Sequence, residues 1–271
     1  MTTLEQLLGH DQTANPIDDY LSTITDAIRN QPRSLQKIIG PSELGTDCTH
    51  CLAAKLAGWA EQERDIPWLP FIGTAVHAEL ARIFETASQT AVKTGGRGRW
   101  LVEQRVYVGM IGPHPITGSC DLYDQATGTV LDHKIVGAET LRTAKAGVKE
   151  VYRVQAHLYG LGWENAGHTP ERVAIAHLPR NAVSLTQDVI HVEDYDPAIA
   201  RAALERANRV HANVTALASI SETARDEWIT ALDRAPGCFS CRRYPDWATQ
   251  PSRLATELGI TTASRTTRKA A

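Results

Sequence analysis

The chain lacks an apolar run long enough to span a bilayer; its 271 residues are 42% hydrophobic and 22% charged, as in an ordinary globular protein. No secretory signal is expected at its start either. MTTLEQLLGHDQ has no basic region followed by an apolar stretch, so a cytoplasmic location without a membrane is expected. There is no GxxxxGKS or GxxxxGKT phosphate loop, so any nucleotide-driven motor must sit on another chain. No internal repeat is visible. Neither sign of charge dominates: 28 Lys and Arg against 31 Asp and Glu leave a net charge of −3. That balance argues against a protein that coats nucleic acid. It still permits one that grips a short stretch in a basic groove, because the field at a site follows local charge.

Cysteine is scarce as well, and unevenly placed. Four of the 5 cysteines form two CxxC pairs, Cys48 with Cys51 in DCTHC and Cys238 with Cys241 in GCFSC, while Cys120 stands alone. In a cytoplasmic protein such pairs point to metal before disulfides. One pair cannot complete a tetrahedral site; two supply four thiolates, enough for a structural zinc or an iron–sulfur cluster. The competing reading is four unrelated buried cysteines. If they do meet, the fold joins an N-terminal and a C-terminal segment through one centre.

Hydrophobic periodicity gives the layout. Helices are expected at Leu4–His10 and Pro16–Asn30. Another stretch opens at Pro41 and carries the first CxxC as far as Leu56–Trp59. The clearest amphipathic helix is Gly73–Thr90, where Val76, Leu80, Ile83, Phe84 and Ala87 recur at helical spacing. After a Gly-rich break at Thr94–Arg99, strands are expected at Trp100–Val108, around a turn in Gly118–Gly137, and at Val173–Leu178. Helices follow at Leu141–Trp163 and Pro197–Leu217, and the tail beyond Trp247 is expected to be disordered. The order of elements predicts an α/β fold, a central mixed β-sheet flanked by helices.

The hairpin segment GSCDLYDQATGTVLDHKIVG poses the chemical question. Asp132 and Lys134 are two apart on one strand and face the same side; pairing across the turn brings Asp121 close to Asp132. Two carboxylates together repel unless a cation lies between them. Mg²⁺ or Mn²⁺, bound by one or two carboxylates and by phosphate oxygens, is the natural partner. Lys134 then holds an attacking water or stabilises phosphate charge. The plainer alternative is a surface Asp–Lys cross-strand pair.

The surrounding motifs resemble the PD-(D/E)XK nuclease superfamily, in its RecB-like exonuclease branch. Gly73-Thr-Ala-Val-His77 resembles its GxxxH helix motif, Gly118-Ser-Cys-Asp121 its GxxD, Asp132-His133-Lys134 its DxK, and Gln155-Ala-His-Leu-Tyr159 its QxxxY. The order is the family's, and the resemblance covers roughly residues 41 to 245. It implies a restriction-endonuclease-like core over 41–247, after an N-terminal helical segment 1–40 and before a tail 248–271. It also implies roles: His77, Asp121, Asp132 and the His133 carbonyl as metal ligands, Lys134 at the water, and Gln155 and Tyr159 on the DNA strand or on Lys134. Glu103, in Trp100-Leu-Val-Glu103, could also point toward the site, but a structural role is the first reading. RecB-like nucleases with an iron–sulfur clasp, the CRISPR-associated exonucleases and AddB-type domains among them, imply a 4Fe–4S cluster at Cys48, Cys51, Cys238 and Cys241. Their one-plus-three arrangement of ligands differs from the two-plus-two arrangement here, and zinc is the rival.

Arg142, Lys145, Lys149 and Arg153 form a basic stripe if the helix over Leu141–Trp163 is continuous, which suits DNA phosphates. Gly147 marks a place where it could break. The expectation is a divalent-metal-dependent deoxyribonuclease acting on single-stranded or frayed duplex ends in recombination, repair or end processing, with any helicase or recombination protein a separate partner. The alternative is a non-catalytic DNA-binding or assembly subunit with a nuclease-like fold.

Overall fold

The structure is a computed structural model that describes residues 16–30, 39–62, 66–96 and 98–246. The helix expected at Leu4–His10 and the tail beyond Trp247 lie outside the described residues. Helix α1 spans Pro16–Arg29, α2 Pro41–Leu44, α3 Thr49–Leu56 and α4 Trp68–Lys93. Strands β1 (Trp100–Ile111), β2 (His114–Asp124) and β3 (Thr129–Val136) follow. Then come α5 (Ala138–Ala144), α6 (Glu150–Asn165), β4 (Arg172–Pro179), β5 (Val189–Asp194), α7 (Pro197–Ile220) and α8 (Glu222–Ala231).

The chain divides into two compact units. The first takes the described residues up to Gly45 and from Ile66 to Leu204; the second takes Thr46–Gln62 and Glu205–Asp246. The first unit holds a five-stranded sheet in the order β1-β2-β3-β4-β5. The pairs β1/β2, β2/β3 and β4/β5 are antiparallel. The pair β3/β4 is parallel, so the chain must cross over between them, and α5 and α6 make that crossover. The mixed α/β sheet expected from the sequence is therefore present, with α4 and α6 packed on it.

Local chemistry explains where the elements depart from the expected bounds. Helix α4 starts at Trp68, ahead of Gly73, with Pro70 in its first turn, where a missing N–H costs nothing because those donors have no helical acceptor. The helix expected from Pro41 onward breaks after Leu44. Cys48 then caps a new helix, its N–H donating to Thr46 Oγ1 at 3.3 Å. The continuous helix expected over Leu141–Trp163 is corrected to two. Gly147 stands at φ 154, a left-handed value that side chains rarely adopt, and α6 restarts at Glu150. Strand β5 and helix α8 went unforeseen.

The core of this unit gathers Val102, Val106, Leu122, Val130, Leu158, Val173 and Ile175, all nearly fully buried. Helix α6 approaches the sheet closely because Gly162 leaves room: a Cβ there would lie 2.5 Å from Val106 Cγ2. Gly118 does the same on β2, where a Cβ would sit 2.8 Å from Pro41 Cγ and 3.0 Å from the Tyr159 ring. The GxxD glycine thus lets α2 and the tyrosine of α6 close over the strand that carries Asp121.

Candidate functional site

The hairpin turn does what its alternation predicts. Leu122 pairs with Leu131, so Asp121 stands next to the level of Asp132, and the His133 N–H donates to Asp121 Oδ2 at 2.7 Å. The second oxygen of Asp121 lies 3.2 Å from His77 Nδ1 of α4. Glu103 on β1 falls between Val102 and Gln104, whose partners are Leu122 and Cys120, and so stands across from Asp121. Ligand atoms of His77, Glu103 and Asp121 all lie within 4.8 Å of one another. Of the two readings that the sequence left for Glu103, the second places it here: it joins this group. Its backbone is at φ 48, the one left-handed non-glycine among the described residues. Such a conformation costs of order 1–3 kcal/mol and tends to occur where a side chain has a task. Ser119 Oγ donates to Glu103 Oε2 at 2.7 Å and holds the carboxylate in place.

Asp132 is not in that three-residue group. It is 1% exposed, and its Oδ2 lies 2.5 Å from Lys134 Nζ. The contact is a buried ion pair between the two side chains. Burial raises the Asp132 carboxyl to about 6, with the charge of Asp121 adding to the rise and Lys134 opposing it. Asp121 responds the other way. Burial works against its charge, but the hydrogen bonds of His77 and of the His133 N–H hold it below the usual range. Burial likewise opposes protonation of His77, and Asp121 overcomes it, raising the ring. The carboxylates of Glu103 and Asp121 beside the His77 imidazole, with Asp132 next to them, form a donor set that a divalent cation could occupy. The donor set is carboxylate oxygen with one imidazole nitrogen, all hard or borderline ligands.

Lys134 donates to Gln155 Oε1 at 2.8 Å, and Gln155 Nε2 reaches Tyr159 Oη at 3.4 Å. The QxxxY pair therefore reads out on the lysine, one turn of α6 apart. Tyr159 is buried, which raises its phenol and keeps it protonated. His133 packs its ring on Phe84 at 6.1 Å, and burial lowers it, so it is neutral. Cys120 is fully buried and pushed upward by burial, an inert core thiol.

The four basic residues are distributed differently from a single stripe. Arg142 lies in α5, Lys145 and Lys149 cap α5 and α6, and Arg153 lies inside α6. Arg153 Nε donates to Glu193 Oε1 at 2.7 Å; Glu193 also meets the buried His157 Nε2 at 3.0 Å. Arg153 therefore ties α6 to β5.

In the second unit the four predicted cysteines converge. Cys48 Sγ lies 3.4 Å from Cys241 Sγ, and Cys51 Sγ lies 3.4 Å from Cys241 and 3.6 Å from Cys238. All four sulfurs are within 4.8 Å of one another. The hydrogen bond from Cys51 lowers Cys48 to about 4, while burial pushes Cys241 up to about 12. One thiolate is stabilised at the expense of its neighbours, so a tetrathiolate needs a cation. Sequence reasoning missed the scaffold around it. His50, inside the first CxxC and 0% exposed, meets Asp246 Oδ2 at 2.8 Å, and Arg234 donates to the same oxygen at 2.6 Å. The aromatic rings of Trp59 and Tyr244 pack edge-on against His50 at 6.0 and 5.8 Å.

Comparison with protein-family models and with curated proteins gives no match. Among solved structures the chain is similar to a phage-related exonuclease from Haemophilus somnus 129PT, at 13% identity and a TM-score of 0.37, over 66% of this chain and 95% of that one. No described helix is long and apolar enough to cross a membrane.

Proposed function

We propose that the first unit is a divalent-metal-dependent phosphodiester hydrolase, and more particularly a deoxyribonuclease acting from single-stranded or frayed DNA ends. The observation that carries this reading is the group His77–Glu103–Asp121 beside the ion pair Asp132–Lys134, with Gln155 bonded to the lysine. His77, Glu103, Asp121 and Asp132 would hold the ion, with the His133 carbonyl as a further donor. Bound Mg²⁺ or Mn²⁺ supplies Lewis-acid stabilisation of phosphate charge and makes water a better nucleophile near neutral pH. The protein's own part is positioning. Lys134 is aimed by Asp132 and Gln155 so that its ammonium faces a phosphate or the attacking water. Arg142, Lys145 and Lys149 would meet strand phosphates, and Arg153 contributes less because Glu193 occupies it. The role belongs to recombination, repair or end processing, with a helicase or recombination protein supplied in trans.

The cysteine centre is structural in this reading. A tetrahedron of thiolates about one zinc, with bonds of about 2.3 Å, has edges of roughly 3.8 Å. The sulfur separations of 3.4–3.6 Å come close to that. A four-iron cluster requires its thiolates farther apart, so the spacing favours a single tetrahedral ion over the 4Fe–4S cluster that the resemblance implies.

Incubation with DNA labelled at one end tests the function. With Mn²⁺, wild type is expected to release label and EDTA to stop it; the end that loses label gives the polarity. Tight DNA binding without any cleavage in Mg²⁺ or Mn²⁺ would favour the non-catalytic binding subunit instead.

A further inference from the structure

The Lys134 ammonium has a third neighbour that the four motifs do not include. Its Nζ lies 4.9 Å from the centroid of the Tyr152 ring, and Lys149 Nζ lies 5.9 Å from the same centroid. A cation within about 6 Å of an aromatic face is attracted by the ring quadrupole. Tyr152 is on the first turn of α6, one turn before Gln155, so the two residues that touch Lys134 from this helix share a face. The ring itself is backed from the sheet. His177 of β4 is the register partner of Lys134 on β3, and its ring centroid lies 5.9 Å from that of Tyr152. His191 of β5 packs edge-on behind His177 at 5.6 Å and meets the Ala144 carbonyl of α5 through Nε2 at 2.6 Å. His177 is 1% exposed and burial lowers it; a backbone hydrogen bond with Val189 opposes the shift, and His191, Lys134 and Lys149 add to it. Lys134 and Lys149 are the lysines that the ring faces.

We infer that Tyr152 is a positioning residue for Lys134, its ring fixing the ammonium on the side that Asp132 and Gln155 leave open. Asp132 and Gln155 each hold the ammonium through one atom, and a flexible four-carbon stem can pivot about such contacts. An aromatic face adds a broad third wall without competing for the N–H donors that a phosphate or water needs. The same ring draws Lys149, the residue capping α6, toward the lysine of the site. The phenol oxygen is not required for this; the π-face is. The catalytic consequence rests on the nuclease reading, but the positioning itself does not.

The full chain, uniformly labelled with ¹³C-lysine, gives a test in two arms. In the first, the Hε signals of Lys134, assigned by their loss in Lys134→Arg, are expected upfield of the other lysines through the ring current. They should stay there in Tyr152→Phe and move to ordinary positions in Tyr152→Leu. In the second arm, Tyr152→Phe is expected to cleave within about twofold of wild type. Tyr152→Leu should lose about tenfold in kcat with KM little changed, the size of a partly desolvated cation–π contact. Tyr152→Gln serves as a second ring-free variant if the leucine variant fails to fold. Equal Hε positions in Tyr152→Phe and the ring-free variants, or equal losses of kcat in all of them, would overturn the inference. If wild type cleaves nothing, the nuclease reading fails, and the first arm still decides whether Tyr152 positions Lys134.

Discussion

Asp121→Ala is expected to slow Mn²⁺-dependent DNA cleavage by at least about a thousandfold, equivalent to about 4 kcal/mol of transition-state stabilisation. Three contacts converge on this carboxylate: His77 at 3.2 Å, the His133 N–H at 2.7 Å, and the neighbouring Glu103 carboxylate. Alanine removes the carboxylate that would be the central ligand and leaves His77 and Glu103 without it. Asp132→Ala should be as damaging, by a different route. It strips Lys134 of its counter-charge in a pocket where the lysine side chain is 16% exposed, so part of the loss will appear as lower stability. Asp132→Asn keeps the shape and separates the two effects. Lys134→Ala leaves Asp132 buried without its cation, and the carboxyl, already raised by burial, is driven further toward the neutral acid. Single-turnover rates beside far-UV circular dichroism measure this. A folded Asp121→Ala protein with wild-type cleavage rates would remove the site from consideration.

Cys241→Ser is expected to abolish metal binding by the second unit and to loosen that unit. Cys241 touches both Cys48 and Cys51 at 3.4 Å and is 1% exposed, so its sulfur has no substitute nearby. Structural zinc contributes on the order of 10 kcal/mol of apparent binding free energy at neutral pH, enough to decide whether a small unit folds. Elemental analysis should show one ion per wild-type chain at this centre and none in the variant. Limited proteolysis should cut the variant between Glu205 and Asp246 under conditions that spare wild type. His50, Asp246 and Arg234 stay linked, but a histidine–carboxylate–guanidinium chain cannot replace four metal–sulfur bonds. An unchanged metal content and protease pattern in Cys241→Ser would show that the cysteines meet without serving a metal. A broad visible absorption from iron and sulfide in wild type would overturn the preference for a single ion.

Much of the first unit was legible because period-two alternation and a Gly turn specify a hairpin with little ambiguity. Asp121, Asp132, Lys134, Gln155 and Tyr159 fall on elements whose register follows from that hairpin and from one helix. For Glu103 a structural role came first because the residue lies mid-strand with no motif around it. Its cue is a backbone conformation that the sequence does not announce. Tyr152 lies outside the four motifs, since a ring facing a lysine leaves no spacing signal. Strand β5 was missed because Val189–Asp194 is six residues long and carries three polar or charged ones, too short and mixed for periodicity to distinguish. The basic stripe relied on a helix that Gly147 interrupts. The cysteine pairs were clear from spacing, whereas Asp246 and Arg234, which brace them, lie far from His50 in the chain.

The most direct measurement is Mn²⁺ binding followed by electron paramagnetic resonance at room temperature, with the cysteine centre already loaded. The account predicts saturable loss of the free-Mn²⁺ signal in wild type, weaker binding in Glu103→Gln and none in Asp121→Ala. Wild type that leaves Mn²⁺ free in solution, or Asp121→Ala that binds it as wild type does, would contradict the claim that these carboxylates form a cation site.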